Sequence, residues 1–148
     1  MTDKEYWIER FTQKAATVHK RNLSRFASRM YNRCTQWKNS LVIRSKKYGV
    51  PCNISVDELR ELLYSEYGKT CRYCNKRLDM NTLVLDHIIP ISKGGSSNLE
   101  NLQIICSTSN GLKGSLDEPH FQILLNWLNT IPEELRKDIS VRLARGVR

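Results

Sequence analysis

Asp86 and His87 stand side by side in this 148-residue chain, Asn101 follows His87 by fourteen positions, and Asn110 comes nine later. Each residue type has a plausible chemical task. Imidazole titrates near neutrality and can take a proton from water. A carboxylate and an amide oxygen are hard ligands that suit Mg²⁺ or Mn²⁺. A base beside a divalent cation suits phosphodiester hydrolysis, with the base activating water and the metal stabilising charge on the phosphate and the leaving oxygen. Asn101 lies outside that pair. An amide there can hydrogen-bond loop backbone and fix the direction of His87.

The elements that would position these residues can be built from local rules. Leu83, Val84 and Leu85 are a short apolar run that predicts a buried strand delivering Asp86 and His87 at its end. Pro90 cannot donate to a ladder, so pairing should stop near it. Ser92 to Asn98, with Gly94-Gly95 inside, reads as a loop. Leu102 to Cys106 reads as the returning strand. Ser107, Thr108 or Ser109 is a candidate cap for a helix beginning near Asn110. The unit is strand, long loop, strand, helix, with Asp86 and His87 on one wall and Asn110 on the other.

Cysteines accompany the unit. Cys71-x-x-Cys74 in a basic chain reads first as half a zinc site, and Cys106 lies where the other half is expected. Taken together, Asp86-His87, Asn101 and Asn110, with Cys71, Cys74 and Cys106, resemble the HNH endonucleases. The likeness is to the variant whose third motif residue is Asn, as in the HNH domains of RNA-guided nucleases. The chain is also similar to small freestanding HNH proteins of phages and mobile elements, including their basic helical lead-in. The resemblance is specific from roughly Ile54 to Ser115, loose before that and absent after Leu116.

The resemblance implies a ββα-metal core. It implies His87 as general base, Asp86 and Asn110 as ligands of catalytic Mg²⁺ or Mn²⁺, and Asn101 as the brace of the loop. It implies double-stranded DNA as substrate, one strand nicked per active site, and a homing-type enzyme. In one place the chain departs from the family: Ser109 stands where a fourth cysteine is common. Zn²⁺ would then sit on Cys71, Cys74 and Cys106 plus water or a distant ligand such as His120 or Cys52. Alternatively zinc is absent and the thiols pack as small apolar groups, or the first two oxidise in vitro. Two other functional classes stand beside the nuclease. One is a catalytically silent DNA-binding module that keeps the fold, although all four site residues are present. The other is an RNA-directed nuclease, for which no aromatic stacking motif speaks.

Charge points the same way. The formal net charge is +9, which favours a polyanionic partner. Residues 1–50 hold 12 Lys/Arg against 3 Asp/Glu, and the remaining residues hold 12 of each, so all the excess lies in the first third. No apolar run is long enough to span a bilayer, the N-terminal residues lack the apolar stretch of a signal peptide, and five cysteines do not suggest a disulfide framework. A cytoplasmic setting with no membrane partner is expected.

Glu5 to about Lys47 contains no Pro or Gly and should be helical, with a break near Asn22 to Ser24. Leu23, Phe26, Met30, Trp37 and Leu41 form an apolar stripe. Arg21, Arg25, Arg29 and Arg33 recur at steps of four and form a basic one. Such a stripe can be a plain solvated face. Four aligned arginines without nearby acids, however, forgo the pairs that stabilise ordinary helices, which favours phosphate contact. Lys93 and Lys113 are further candidates for phosphates. His19 falls in the basic helix, facing surface or phosphate. Ser55 with Glu58 matches a capping box, and Asp117 is a candidate N-cap. Leu135, Ile139 and Leu143 mark a last helix. The expected architecture is α+β: a basic helical arm over 1–50, the ββα-metal core over 51–116, and a helical cover over 117–148. The cover is a packing buttress or a dimer surface. Monomer and homodimer are both open.

Overall fold

The computed structural model of the protein describes residues 1–146. It is an α+β fold of six α-helices and one two-stranded antiparallel sheet among the described residues. In chain order these are α1 (Asp3–Ala16), α2 (Leu23–Tyr48), α3 (Val56–Glu66), β1 (Leu83–His87), β2 (Leu102–Cys106), α4 (Ser107–Lys113), α5 (Glu118–Asn129) and α6 (Glu133–Ala144). Single turns of 3₁₀ helix, Ile91–Lys93 and Leu99–Asn101, shape the loop between the strands.

The N-terminal third is a helical hairpin. A capping box starts α1: the Thr2 hydroxyl accepts from Glu5 N–H at 3.2 Å and the Glu5 carboxylate accepts from Thr2 N–H at 2.6 Å. Trp7, Phe11 and Ala15, at steps of four, are buried against the hairpin interior. The helical break lies earlier than expected. The chain leaves the helix after Ala16 and resumes at Leu23, so His19 and Arg21 belong to the connector. The reason lies in the contacts of His19. The His19 ring stacks on Phe26 with centroids 3.7 Å apart, and His19 Nε2 lies 2.7 Å from the Tyr67 hydroxyl. Asn22 adopts φ +58°, a left-handed geometry that Asn tolerates. His19 is therefore a structural clamp rather than a surface or phosphate-facing residue.

Helix α2 has 26 residues and is about 39 Å long. Ala27, Met30, Cys34, Leu41 and Ser45 form its buried stripe, and Gly49 closes it at φ +66°. Ser55 and Glu58 form the capping box of α3, with hydrogen bonds of 3.1 and 2.7 Å, and α3 buries Leu59 and Leu63. One hydrophobic cluster runs from Trp7 and Phe11 through Met30, Leu59 and Leu63 to Leu83, Ile104 and Cys106. Helix α2 and the sheet thus share a core, which fixes the basic helix relative to the β1 end.

The C-terminal helices are more loosely seated. Asp117 caps α5 by accepting from His120 N–H at 3.1 Å, and α5 buries Phe121 and Leu128. Helix α6 buries no residue, and Leu135 and Leu143 are exposed rather than in a core. Its apolar residues are spread around the axis, so no single face could be buried. It lies on α4 at Gly111, where a Cβ would come within 2.8 Å of the Ala144 carbonyl oxygen. No helix of the described residues is long and apolar enough to cross a membrane.

Candidate active site

The hairpin register sets the site. Asp86 pairs with Gln103 and His87 with Leu102, and every residue of β2 is buried. β2 passes into α4 without a loop. Cys106 is both its last residue and the N-cap, its Sγ accepting from Ser109 N–H at 3.3 Å. The helix therefore begins at Ser107, not near Asn110, and no hydroxyl of Ser107, Thr108 or Ser109 is its cap. Asn110 lies in the second turn, one turn before Lys113 on the same face.

Asp86 is 8% exposed. One carboxylate oxygen, Oδ2, accepts from Gln103 Nε2 at 2.9 Å and pairs with Lys113 Nζ at 3.1 Å. Lys113 also donates to the His87 carbonyl at 2.8 Å. At 1% exposure, this lysine is an internal tie between α4 and β1, not the surface phosphate contact expected of it. It lies inward because α4 packs against both strands. The second carboxylate oxygen, Oδ1, and the side chain of Asn110 have no protein partner among the described residues, and neither is an enclosed polar atom. A carboxylate oxygen and an amide oxygen that are both unengaged suit a hard divalent cation.

His87 is 5% exposed, and its Nε2 lies 2.8 Å from the Ser97 hydroxyl. Nδ1 has no protein partner among the described residues and is not enclosed. Burial pushes its pKa down to about 4, with Arg44 and Lys113 adding to the depression and Asp86 opposing it. The ring is neutral at neutral pH. The other expected residue, Asn101, holds the loop above it. Its Oδ1 accepts from Ile89 N–H at 2.8 Å, and its Nδ2 donates to the carbonyls of Ile89 at 3.0 Å and Ser96 at 2.8 Å. Gly95 makes this possible: a Cβ there would stand 1.9 Å from the Ile89 carbonyl oxygen.

Three residues that composition did not single out, Gln103, Ser97 and Ser45, complete the wall. Gln103 Nε2 also bonds the Tyr73 hydroxyl at 3.2 Å, and Gln103 Oε1 accepts from Arg72 at 3.1 Å. This links the Cys71–Cys74 turn to Asp86. Ser97, fully buried, bonds Ser45 of α2 at 2.7 Å. A polar residue on the buried stripe of α2 was the available signal for Ser45. A polar residue inside the apolar run of β2 was the signal for Gln103.

The sulfurs of Cys71, Cys74 and Cys106 lie within 4.8 Å of one another. Ser109 takes the fourth corner, its hydroxyl 3.5 Å from the Cys71 sulfur and 3.3 Å from that of Cys106. Hydrogen bonds from Cys106 and Ser109 hold the Cys71 thiol well below its usual pKa, and the same sharing with Cys71 pushes Cys106 up. Neither His120 nor Cys52 joins the group. His120 is tied to Asp117 at the start of α5, and Cys52 lies in the link before α3, so the distant-ligand expectation does not hold.

The basic stripe is only partly a surface. Arg21 and Arg25 are exposed, whereas Arg29 and Arg33 are half-buried, and Arg29 leans on the Met80 carbonyl at 3.4 Å. Arg44, Lys46 and Lys47 at the other end of α2 are exposed, as is Lys93 beside the loop. The family model described as HNH endonuclease matches residues 71–116, which span the cysteine turn, both strands and α4. No curated protein matches the chain.

Proposed function

We propose that this chain, whose residues 71–116 match the HNH endonuclease family, hydrolyses phosphodiester bonds of double-stranded DNA with Mg²⁺ or Mn²⁺, nicking one strand per active site. One observation carries the reading. At the end of β1 a buried carboxylate with an unengaged oxygen stands next to a buried neutral imidazole with an unengaged nitrogen. His87 takes a proton from water at Nδ1 while its Nε2 rests on Ser97. The water oxygen attacks phosphorus, and the 3′ oxygen departs. Asp86 and Asn110 would hold the divalent cation, which when bound supplies charge stabilisation at the phosphate and the leaving oxygen. Gln103 and Lys113 hold Oδ2 of Asp86, so that Oδ1 faces outward. Asn101 keeps the loop from collapsing onto His87.

The product chemistry tests this. Cleaved duplex should carry 5′-phosphate and 3′-hydroxyl ends, so that DNA ligase reseals each nick. Ends bearing 3′-phosphate, or cleavage undiminished by EDTA, would contradict the mechanism. Tight binding with no cleavage in any metal would favour the DNA-binding module instead.

The exposed face of α2 and the connector before it seat the duplex, through Arg21 and Arg25 at one end and Arg44, Lys46 and Lys47 at the other. Removing one cation that neutralises a phosphate should reduce the salt slope of binding by about 0.9. Replacing Arg21 and Arg25 together with Ala should therefore flatten a plot of log affinity against log salt by nearly two. An unchanged slope would remove these residues from the interface.

Zinc fits the cysteine group. Zn–S bonds of about 2.3 Å require sulfurs a few ångströms apart, and the three present meet that requirement. Cys71, Cys74 and Cys106 would hold Zn²⁺ as a structural ion tying the cysteine turn to the start of α4. Metal analysis should find one zinc per chain, lost in Cys106→Ser and bound more tightly in Ser109→Cys. Zinc-free protein whose melting temperature ignores chelators would leave the thiols as packing groups.

A further inference from the structure

We infer that Ser45 and Ser97 are positioning residues for His87, forming a buried hydroxyl relay from α2 that fixes which ring nitrogen carries the proton. The inference rests on the nuclease reading but can be tested without it. Ser45 continues the core stripe of Met30, Cys34 and Leu41. An apolar residue would serve packing there equally well, yet a hydroxyl 3% exposed occupies the place. Its one side-chain partner among the described residues is the Ser97 hydroxyl, at 2.7 Å. Ser97 is itself pinned, because its N–H donates to the Pro51 carbonyl at 2.8 Å. Its hydroxyl oxygen therefore has a fixed position 2.8 Å from His87 Nε2.

A neutral imidazole has one N–H. On Nδ1 that proton would find no protein acceptor among the described residues. On Nε2 it meets Ser97 Oγ, which can accept the ring N–H while its own hydroxyl hydrogen turns to Ser45 Oγ. The relay thus holds the proton on Nε2 and leaves the Nδ1 lone pair free. The opposite tautomer would present an N–H to water and could not act as a base there. Partners that orient a ring in this way change activity by about 10- to 100-fold when removed. Because Ser45 belongs to the helix proposed to seat DNA, the same element that positions the duplex also positions the base.

The test is ¹H–¹⁵N correlation of the His87 ring at neutral pH, in wild type, Ser97→Ala, Ser45→Ala and Ser97→Thr, with cleavage kinetics beside it. The relay predicts the Nε2–H form in wild type and in Ser97→Thr, and a mixture of forms in the two alanine variants. It predicts kcat lower by about 10- to 100-fold in the alanine variants, with KM unchanged. A purely structural serine would leave the tautomer alone. An Nδ1–H ring in wild type, or an unaltered Nε2–H ring and kcat in both alanine variants, would overturn the relay. Absence of cleavage in wild type would overturn the nuclease reading, and the ring spectra would then decide the relay alone. Ser45→Ala, a helix-favouring change at a core position, guards against misfolding of the loop variant.

Discussion

His87→Ala binds duplex DNA with wild-type affinity and cleaves it at least about 100-fold more slowly, the usual loss when a general base is removed. Affinity is kept because His87 is buried, whereas the proposed phosphate contacts lie along α2 and on the connector before it. The separation matters: kcat falls while Kd and its salt slope stay put. Circular dichroism and melting should show the variant folded. Cleavage within a few-fold of wild type would remove His87 from the chemistry and return attention to a water activated without a protein base.

The second large effect is on stability. Lys113 and Asp86 are a buried pair, 1% and 8% exposed, with nitrogen and oxygen 3.1 Å apart. Removing one partner of such a pair strands the other charge and costs about 3–5 kcal/mol. Lys113→Met should lower the unfolding free energy by about that amount, measured by urea titration. Against a typical total of about 5–15 kcal/mol, this brings the chain near its folding threshold. The double variant Lys113→Met/Asp86→Asn removes both charges and should recover most of the loss, because the neutral amide no longer needs a counter-ion. A single variant within about 1 kcal/mol of wild type would mean that the pair is not desolvated as the geometry requires.

How far the sequence could be read depended on which kind of information each feature needs. Strand ends, caps and turns are local. Leu83–Leu85 announced β1, the Ser55–Glu58 capping box announced α3, and Gly49 announced the end of α2. The spacing of Asp86, His87, Asn101 and Asn110 was visible for the same reason, since a hairpin and a short helix convert spacing into position. Depth was not visible. Lys113 lies on the helix face that spacing gave it, yet that face points into the protein, so an expected phosphate ligand became a core ion pair. Arg29 and Arg33 likewise share a stripe with Arg25 but lie where α2 meets the rest of the fold.

Tertiary partners were also out of reach. Ser97 in a Gly/Ser-rich loop looks like a turn former, and only the docking of that loop on α2 brings it to His87. Gln103 becomes meaningful only once the register sets it opposite Asp86. The helical break moved because a stacked His19–Phe26 pair, absent from any local rule, holds the connector. In the C-terminal helices, spacing alone marked Leu135 and Leu143 as a face, but both side chains are exposed.

The most direct test is incubation of the wild-type protein with supercoiled plasmid in Mg²⁺, in Mn²⁺ and in EDTA. A metal-dependent site that cuts one strand predicts open circles with either cation and none in EDTA. Linear DNA formed without an open-circle stage would mean that two sites act together in a dimer. Plasmid left supercoiled under every metal, by protein that binds it, would contradict the nuclease assignment.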